Sequence, residues 1–163
     1  MEALKASSFH HMAKPEVSST VWKMIWNCRT LPKIRAFLWH SCGNVVASAD
    51  CLSSRNIPID PLCSRCGKEK DSVDHIMLHC PYAKAIWFGS SLSHRISNNP
   101  SLLIHEWLQH WQNLALQDKN AARESFSKCS FLCWHIWLVR KDFVFSKKFK
   151  SLEEIIRSAE AAF

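Results

Sequence analysis

Apolar residues recur three and four positions apart along most of this 163-residue chain, the period of a helix with one buried face. Trp22, Ile25 and Trp26 form the first such set. Ile34, Phe37 and Leu38 repeat it beyond the Leu31-Pro32 break, so two short amphipathic helices are expected, with Pro32 in the first turn of the second. A third helix is expected from about Ser48 to Arg55, and Asn56 to Leu62 reads as a turn because Pro58 and Pro61 exclude regular helix there. Asp71 is placed to cap a helix through Val73, Ile76 and Met77, and Pro81 to open another carrying Ala85, Ile86 and Trp87. After a polar connection from Ser90 to Pro100, Leu103, Trp107, His110, Trp111 and Leu114 mark one apolar stripe. A longer helix from about Ala121 to Phe145 carries Leu132, Cys133, Ile136, Trp137, Arg140 and Val144 along another. Ser151 with Glu154 is a capping-box pattern for a final short helix.

Composition agrees with a mainly α fold. Hydrophobic residues make up 47% of the chain, with eight Trp and nine Phe, and only three Gly and six Pro interrupt it, which disfavours a turn-rich β architecture. The expected organisation is a flexible tail over 1–17, a helical domain around a cysteine knuckle over 18–92, and a helical spacer with longer helices over 100–163. The first twenty residues lack an apolar signal core, so an intracellular chain is expected. The most apolar stretch, Cys129 to Val139, contains His135 and is far shorter than the roughly 20 residues that cross a bilayer. It reads as a buried helix.

Lys and Arg number 21 against 14 Asp and Glu, a formal net charge of +7. An anionic partner such as nucleic acid fits that balance, and so does a solvated basic surface. Charge alone does not separate the two.

The eight cysteines divide into two sets. Cys28, Cys42, Cys51, Cys129 and Cys133 are scattered in apolar helical contexts, where a thiol behaves as a small hydrophobe. Cys63, Cys66, His75 and Cys80 instead form a C-x2-C-x8-H-x4-C arrangement. Two cysteines separated by two residues can turn both sulfurs toward one ion, and thiolate with imidazole satisfies tetrahedral Zn²⁺, so one structural zinc is expected. Gly67 can take the positive φ that such a turn asks for. On a continuous α-helix His75 and Cys80 would point about 140° apart, but Pro81 pushes Cys80 out of the α region and lets the chain bend it back. His79, four residues after His75 on the same face, is the competing fourth ligand.

From Val21 to about Trp87 the chain resembles the zinc-binding domain of reverse transcriptases from plant non-LTR retroelements. The likeness rests on Val21-Trp22-x3-Trp26, Leu31-Pro32-Lys33-Ile34-x2-Phe37-Leu38-Trp39, Leu52-x2-Arg55, the metal-ligand pattern and Ala85-Ile86-Trp87. It implies that Cys63, Cys66, His75 and Cys80 are the ligands. Asp74 departs from it, standing where a Glu commonly lies beside the His. The resemblance also implies a position between a reverse-transcriptase region and a ribonuclease-H-like one. After Pro100 the sequence is similar to the variable helical spacer before that second region, with Trp134-x2-Trp137-x2-Arg140-x4-Phe145 as its one suggestive pattern.

No enzyme is expected from these residues. The single tyrosine, Tyr82, is followed by Ala83 and belongs to no Tyr-x-Asp-Asp polymerase motif, and no recognisable set of metal-binding carboxylates is present. A closed four-ligand zinc site leaves no position for activated water. Two non-catalytic expectations follow. In one, the zinc-pinned turn presents Arg65, Lys68 and Lys70, together with Lys33 and Arg35, to phosphates of RNA or single-stranded DNA. In the other, the chain is a structural or protein-interaction spacer, a retroelement remnant, and its tryptophans are core rather than base-stacking platforms.

Overall fold

The computed structural model describes residues 16–114 and 118–163. Residues 1–15 of the expected tail lie outside the described residues. Helix α1 spans Ser19–Asn27, with the Ser18 hydroxyl accepting from the Val21 N–H as its cap. Helix α2, Pro32–Cys42, opens on the proline. Helix α3 is shorter than its sequence pattern suggests, Ala49–Ser53, capped by Ser48. After the cysteine loop comes a π-helical turn, His75–His79, and then helices α4 (Pro81–Gly89), α5 (Ile104–Leu114), α6 (Lys119–Ser146) and α7 (Leu152–Ala162). Both halves of the Ser151/Glu154 capping box form at the start of α7. Among the described residues, extended pairing is confined to one bridge between Leu62 and Lys70. No described helix is long and apolar enough to cross a membrane.

Helix α6, 28 residues long, is the spine. It packs against α2, α5, α7 and the π-turn, so side chains from residues 18–92 and from 100–163 enter one cluster of buried residues. Trp87 is fully buried. Its ring meets Trp107 of α5 edge-on at 4.8 Å between centroids, and its indole N–H donates to the Met77 carbonyl at 2.8 Å. Phe37 of α2 meets Trp134 of α6 in the same way at 5.3 Å. Such edge-to-face pairs add about 0.5–1.5 kcal/mol beyond the area they bury.

Three expectations about faces are corrected. Trp26 and Trp39 are not core: they are 47% and 44% exposed, because Val21 and Ile25 of α1 and Ile34, Phe37 and Leu38 of α2 already fill the contact. The buried stripe of α5 is Ile104, Trp107, Leu108 and Trp111, whereas Leu103 and His110 face outward. The side chain of Leu114 lies outside the described residues. Asp71 is not a helix cap, since Ser72 accepts the His75 N–H at 3.1 Å.

Asp71 has a different task. Its carboxylate is buried against the guanidinium of Arg140 on α6, with Nε at 3.1 Å from both oxygens and Nη2 on Oδ2. Oδ2 also accepts the Ala49 N–H at 2.9 Å, and Arg140 Nη1 donates to the Ala47 carbonyl at 3.3 Å. The guanidinium lies over the Trp137 ring, 5.0 Å from its centroid. A charge on the apolar face of α6 is therefore paired, hydrogen-bonded and stacked, which offsets the large cost of taking it out of water.

Removing either partner should strand the other. Asp71→Ala or Arg140→Leu is expected to lower unfolding free energy by about 3–5 kcal/mol in urea denaturation, and the Asp71→Leu/Arg140→Leu double variant by less than the sum of the singles. Single variants within about 1 kcal/mol of the parent would show the pair to be dispensable.

Candidate metal centre

Cys63 enters a tight loop whose ends are tied by Cys63 N–H donating to the Glu69 carbonyl at 2.7 Å and Asp71 N–H to that of Pro61 at 2.9 Å. Inside it the Gly67 N–H donates to the Cys63 carbonyl at 2.7 Å, and Gly67 adopts φ 65°, where a side chain would be strained. This turn folds the backbone over Cys63, so that the N–H groups of Arg65 and Cys66 help to lower the pKa of its thiol.

The second arm solves its geometry differently from the expected helix break alone. Residues 75–79 are wound as a π-turn, closed by the Cys80 N–H donating to the His75 carbonyl at 2.7 Å, an i→i+5 bond. The wider turn brings residues five apart onto one side. Cys80 is then held extended, φ −58° and ψ 132°, as Pro81 requires. The Met77 carbonyl, within the same turn, is satisfied by the Trp87 indole.

As a result the Sγ atoms of Cys63, Cys66 and Cys80 and a ring nitrogen of His75 all lie within 4.8 Å of one another. The Cys63 and Cys80 sulfurs are 4.0 Å apart, and the Cys66 sulfur is 3.3 Å from His75 Nε2. A tetrahedron with metal–ligand legs near 2.3 Å for sulfur and 2.0 Å for nitrogen has edges of about 3.5–3.8 Å, so the donor set fits such an ion in number, type and spacing. His79 stands apart. Its Nε2 donates to the Leu102 carbonyl at 2.9 Å and ties the π-turn to the approach of α5. Asp74 does the same from the other side, accepting the Ile104 N–H at 2.7 Å.

Electrostatics in the cluster favour thiolate at Cys63. Hydrogen bonding from Cys80, with further bonds from His75 and the backbone, pushes the Cys63 pKa down to about 3, and the same pairing pushes Cys80 up. Burial lowers the His75 pKa, but the adjacent Cys63 and Cys66 sulfurs outweigh it and leave it raised. Three of the scattered cysteines shift the other way from Cys63: burial pushes Cys42 up to about 12, and raises Cys28 and Cys129. They are thiols in a core.

Of the basic residues picked out by sequence, Lys68 and Lys70 are exposed on the loop. Arg65 is half-buried, its guanidinium 4.7 Å from the Tyr82 ring, 5.0 Å from Phe149 and 5.8 Å from Phe143. Arg35 donates to the Trp26 carbonyl at 3.0 Å, and Lys33 lies over Trp134 at 5.7 Å. These two belong to α2 and engage α1 and α6. The ring of aromatics around Arg65 and the Asp71–Arg140 pair escaped sequence reasoning. The signal for the second was an arginine directly after the apolar run of α6 that carries Cys133, Ile136 and Val139, a position that asks for an acidic partner.

A helical module with three thiols and one imidazole converging on a point is a metal-binding module by its donor set. A family model described as zinc-binding in reverse transcriptase matches residues 5–87, and the chain belongs to that family. No curated protein and no solved structure matches the chain.

The aromatic contacts of Arg65 generate a stability prediction. Arg65→Met, which keeps an apolar stem and removes the charge over three rings, should cost about 1–2 kcal/mol in urea denaturation. Unchanged stability would mean that the guanidinium is solvated rather than stacked.

Proposed function

We propose that this protein is the non-catalytic zinc-binding module of a retroelement reverse-transcriptase-type protein, that it holds one structural Zn²⁺ through Cys63, Cys66, His75 and Cys80, and that it assists binding of RNA or single-stranded DNA. The observation that carries the metal assignment is the convergence of these four donors from two separately built turns. When bound, the ion neutralises the thiolates and pins loop to turn. The chain's own residues do the rest. Gly67 bends the loop, the Arg65 and Cys66 N–H groups support the Cys63 sulfur, and the π-turn aims His75 and Cys80. The family's own description is of binding, and the two aspartates nearest the site are committed, Asp71 to Arg140 and Asp74 to Ile104 N–H.

Nucleic-acid binding is supported by the net charge of +7 and by Lys68 and Lys70 standing free on the loop. A structural-spacer function is the second reading. What favours it is that Arg65, Arg35 and Lys33 each make contacts within the fold.

Zinc content of the purified protein tests the metal assignment. One ion per chain is expected, lost in Cys80→Ser and retained in His79→Asn; the reverse pattern would overturn the ligand set. For nucleic acid, anisotropy titrations should give affinity for a single-stranded oligonucleotide that falls with salt. Lys68→Ala/Lys70→Ala should reduce the log–log salt slope by about 0.7 per lysine removed. No binding at low salt would leave the spacer reading standing.

A further inference from the structure

The end of α6 and its junction with α7 carry the two most exposed large apolar side chains among the described residues, Phe145 at 70% and Phe149 at 63%. Helix α6 is closed by Lys147 in the left-handed conformation, φ 53°, its N–H donating to the Phe143 carbonyl at 3.1 Å. The chain then runs without helix through Lys148, Phe149 and Lys150 to the Ser151 cap. Two exposed phenyl rings and the exposed ammonium groups of Lys147 and Lys148 therefore share one short stretch of chain, with Lys150 at its end.

This surface is continuous with the cysteine loop, because the guanidinium of Arg65 lies 5.0 Å from the Phe149 centroid. One side of that ring is occupied by a cation from the loop. Phe149 is 63% exposed all the same. Across residues 65–70 and 141–150, seven Lys and Arg stand against two carboxylates, Glu69 and Asp142. Glu154, at the start of α7, is occupied with the Ser151 N–H, leaving Glu153 as the next free acid.

We propose that Phe145 and Phe149, with Lys147, Lys148 and Lys150, form a stacking platform for the bases of single-stranded nucleic acid, and that Arg65 joins it to the cysteine loop. The inference rests on the nucleic-acid reading above and gives it a surface. Aromatic faces beside mobile cations suit a ligand that alternates flat apolar bases with phosphates, and a phenyl face accepts any base, so little sequence preference is expected. Binding through a rim cation would instead engage phosphate alone, the part given to Lys68 and Lys70 in the reading above. An anionic bilayer shares the charge complementarity, but the segment from Lys147 to Lys150 is not the amphipathic helix that lies in a membrane interface.

The test uses the full chain, with circular dichroism and zinc content as controls for folding. Its probes are oligothymidylate, an abasic oligonucleotide of equal length, and phosphatidylserine vesicles. Phe145→Ala and Phe149→Ala should each weaken oligothymidylate binding about tenfold and leave abasic binding unchanged. Lys147→Ala/Lys148→Ala should weaken both and lower the salt slope by about 0.7 per lysine. The Arg65 guanidinium lies over Tyr82, Phe143 and Phe149 and not over Phe145, so the Phe145 variant reports on stacking even if Phe149→Ala loosens the loop. If the parent protein binds oligothymidylate, Lys68→Ala/Lys70→Ala weakens it, and the Phe and Lys147/Lys148 variants do not, the platform is overturned and the nucleic-acid reading survives. If the parent binds none of the oligonucleotides, both fall. Loss of vesicle binding in the platform variants with oligonucleotide binding intact would assign the surface to lipid and overturn the proposal.

Discussion

A carboxylate and a guanidinium with almost no access to water, Asp71 and Arg140, determine how the cysteine loop meets the long helix. Apolar contacts tolerate sliding, since a leucine finds a partner at many offsets along a helix. A fork of two parallel hydrogen bonds does not. With Asp71 at the exit of the loop, also receiving the Ala49 N–H, and Arg140 also reaching the Ala47 carbonyl, the pair sets the axial position of α6 against α3 and the loop together. Misregistry would leave charges buried and unpaired, at a cost comparable to a large part of a small domain's whole stability.

The loop is thus held from two sides. On one, four donors converge where the turn at Gly67 meets the turn at His75. On the other, Arg65 leaves the same loop to lie among Tyr82, Phe143 and Phe149, while Asp71 ends it against α6. Arg65 and Asp71 are six positions apart and carry opposite charge, and both lead into residues that follow α5 in sequence. The boundary at residue 87 of the family match therefore falls inside a packed unit: Trp87 has Trp107 as its neighbour, Phe37 has Trp134, and Asp71 has Arg140.

What could be read from sequence was what depends on neighbours in sequence. The C-x2-C spacing, the glycine after it, Pro32 and Pro81 at helix starts, and the Ser151/Glu154 box are local chemistry, and each stands where expected. The four-donor cluster was legible for the same reason, because its two arms are each short. Periodicity located helices but did not choose between faces when both were aromatic, so Trp26 and Trp39 were placed inward although their neighbours already filled the contact. Pairings 69 residues apart, such as Asp71 with Arg140, leave no trace in a local window. The Asp71 reading failed accordingly: an aspartate before an apolar helical run is a good cap by its type, and a buried cation elsewhere outbids the backbone for it. The π-turn was invisible too, since it differs from α-winding by one hydrogen bond and not by residue type.

That π-turn makes the backbone a ruler for insertions and deletions. A standard helix rotates by about 100° per residue, so losing one position between His75 and Cys80 would restore ordinary α-winding yet swing the imidazole, the Met77 carbonyl and the following proline-started helix out of phase. Gaining one would have no wider turn to absorb it. The surplus residue is already stored in the turn, stabilised by the Trp87 indole and by His79 and Asp74 gripping the approach to α5. Length variation in such a chain is consequently channelled elsewhere, into the exposed stretch before Cys63 and the connection after Ser90, which carry none of the four donors.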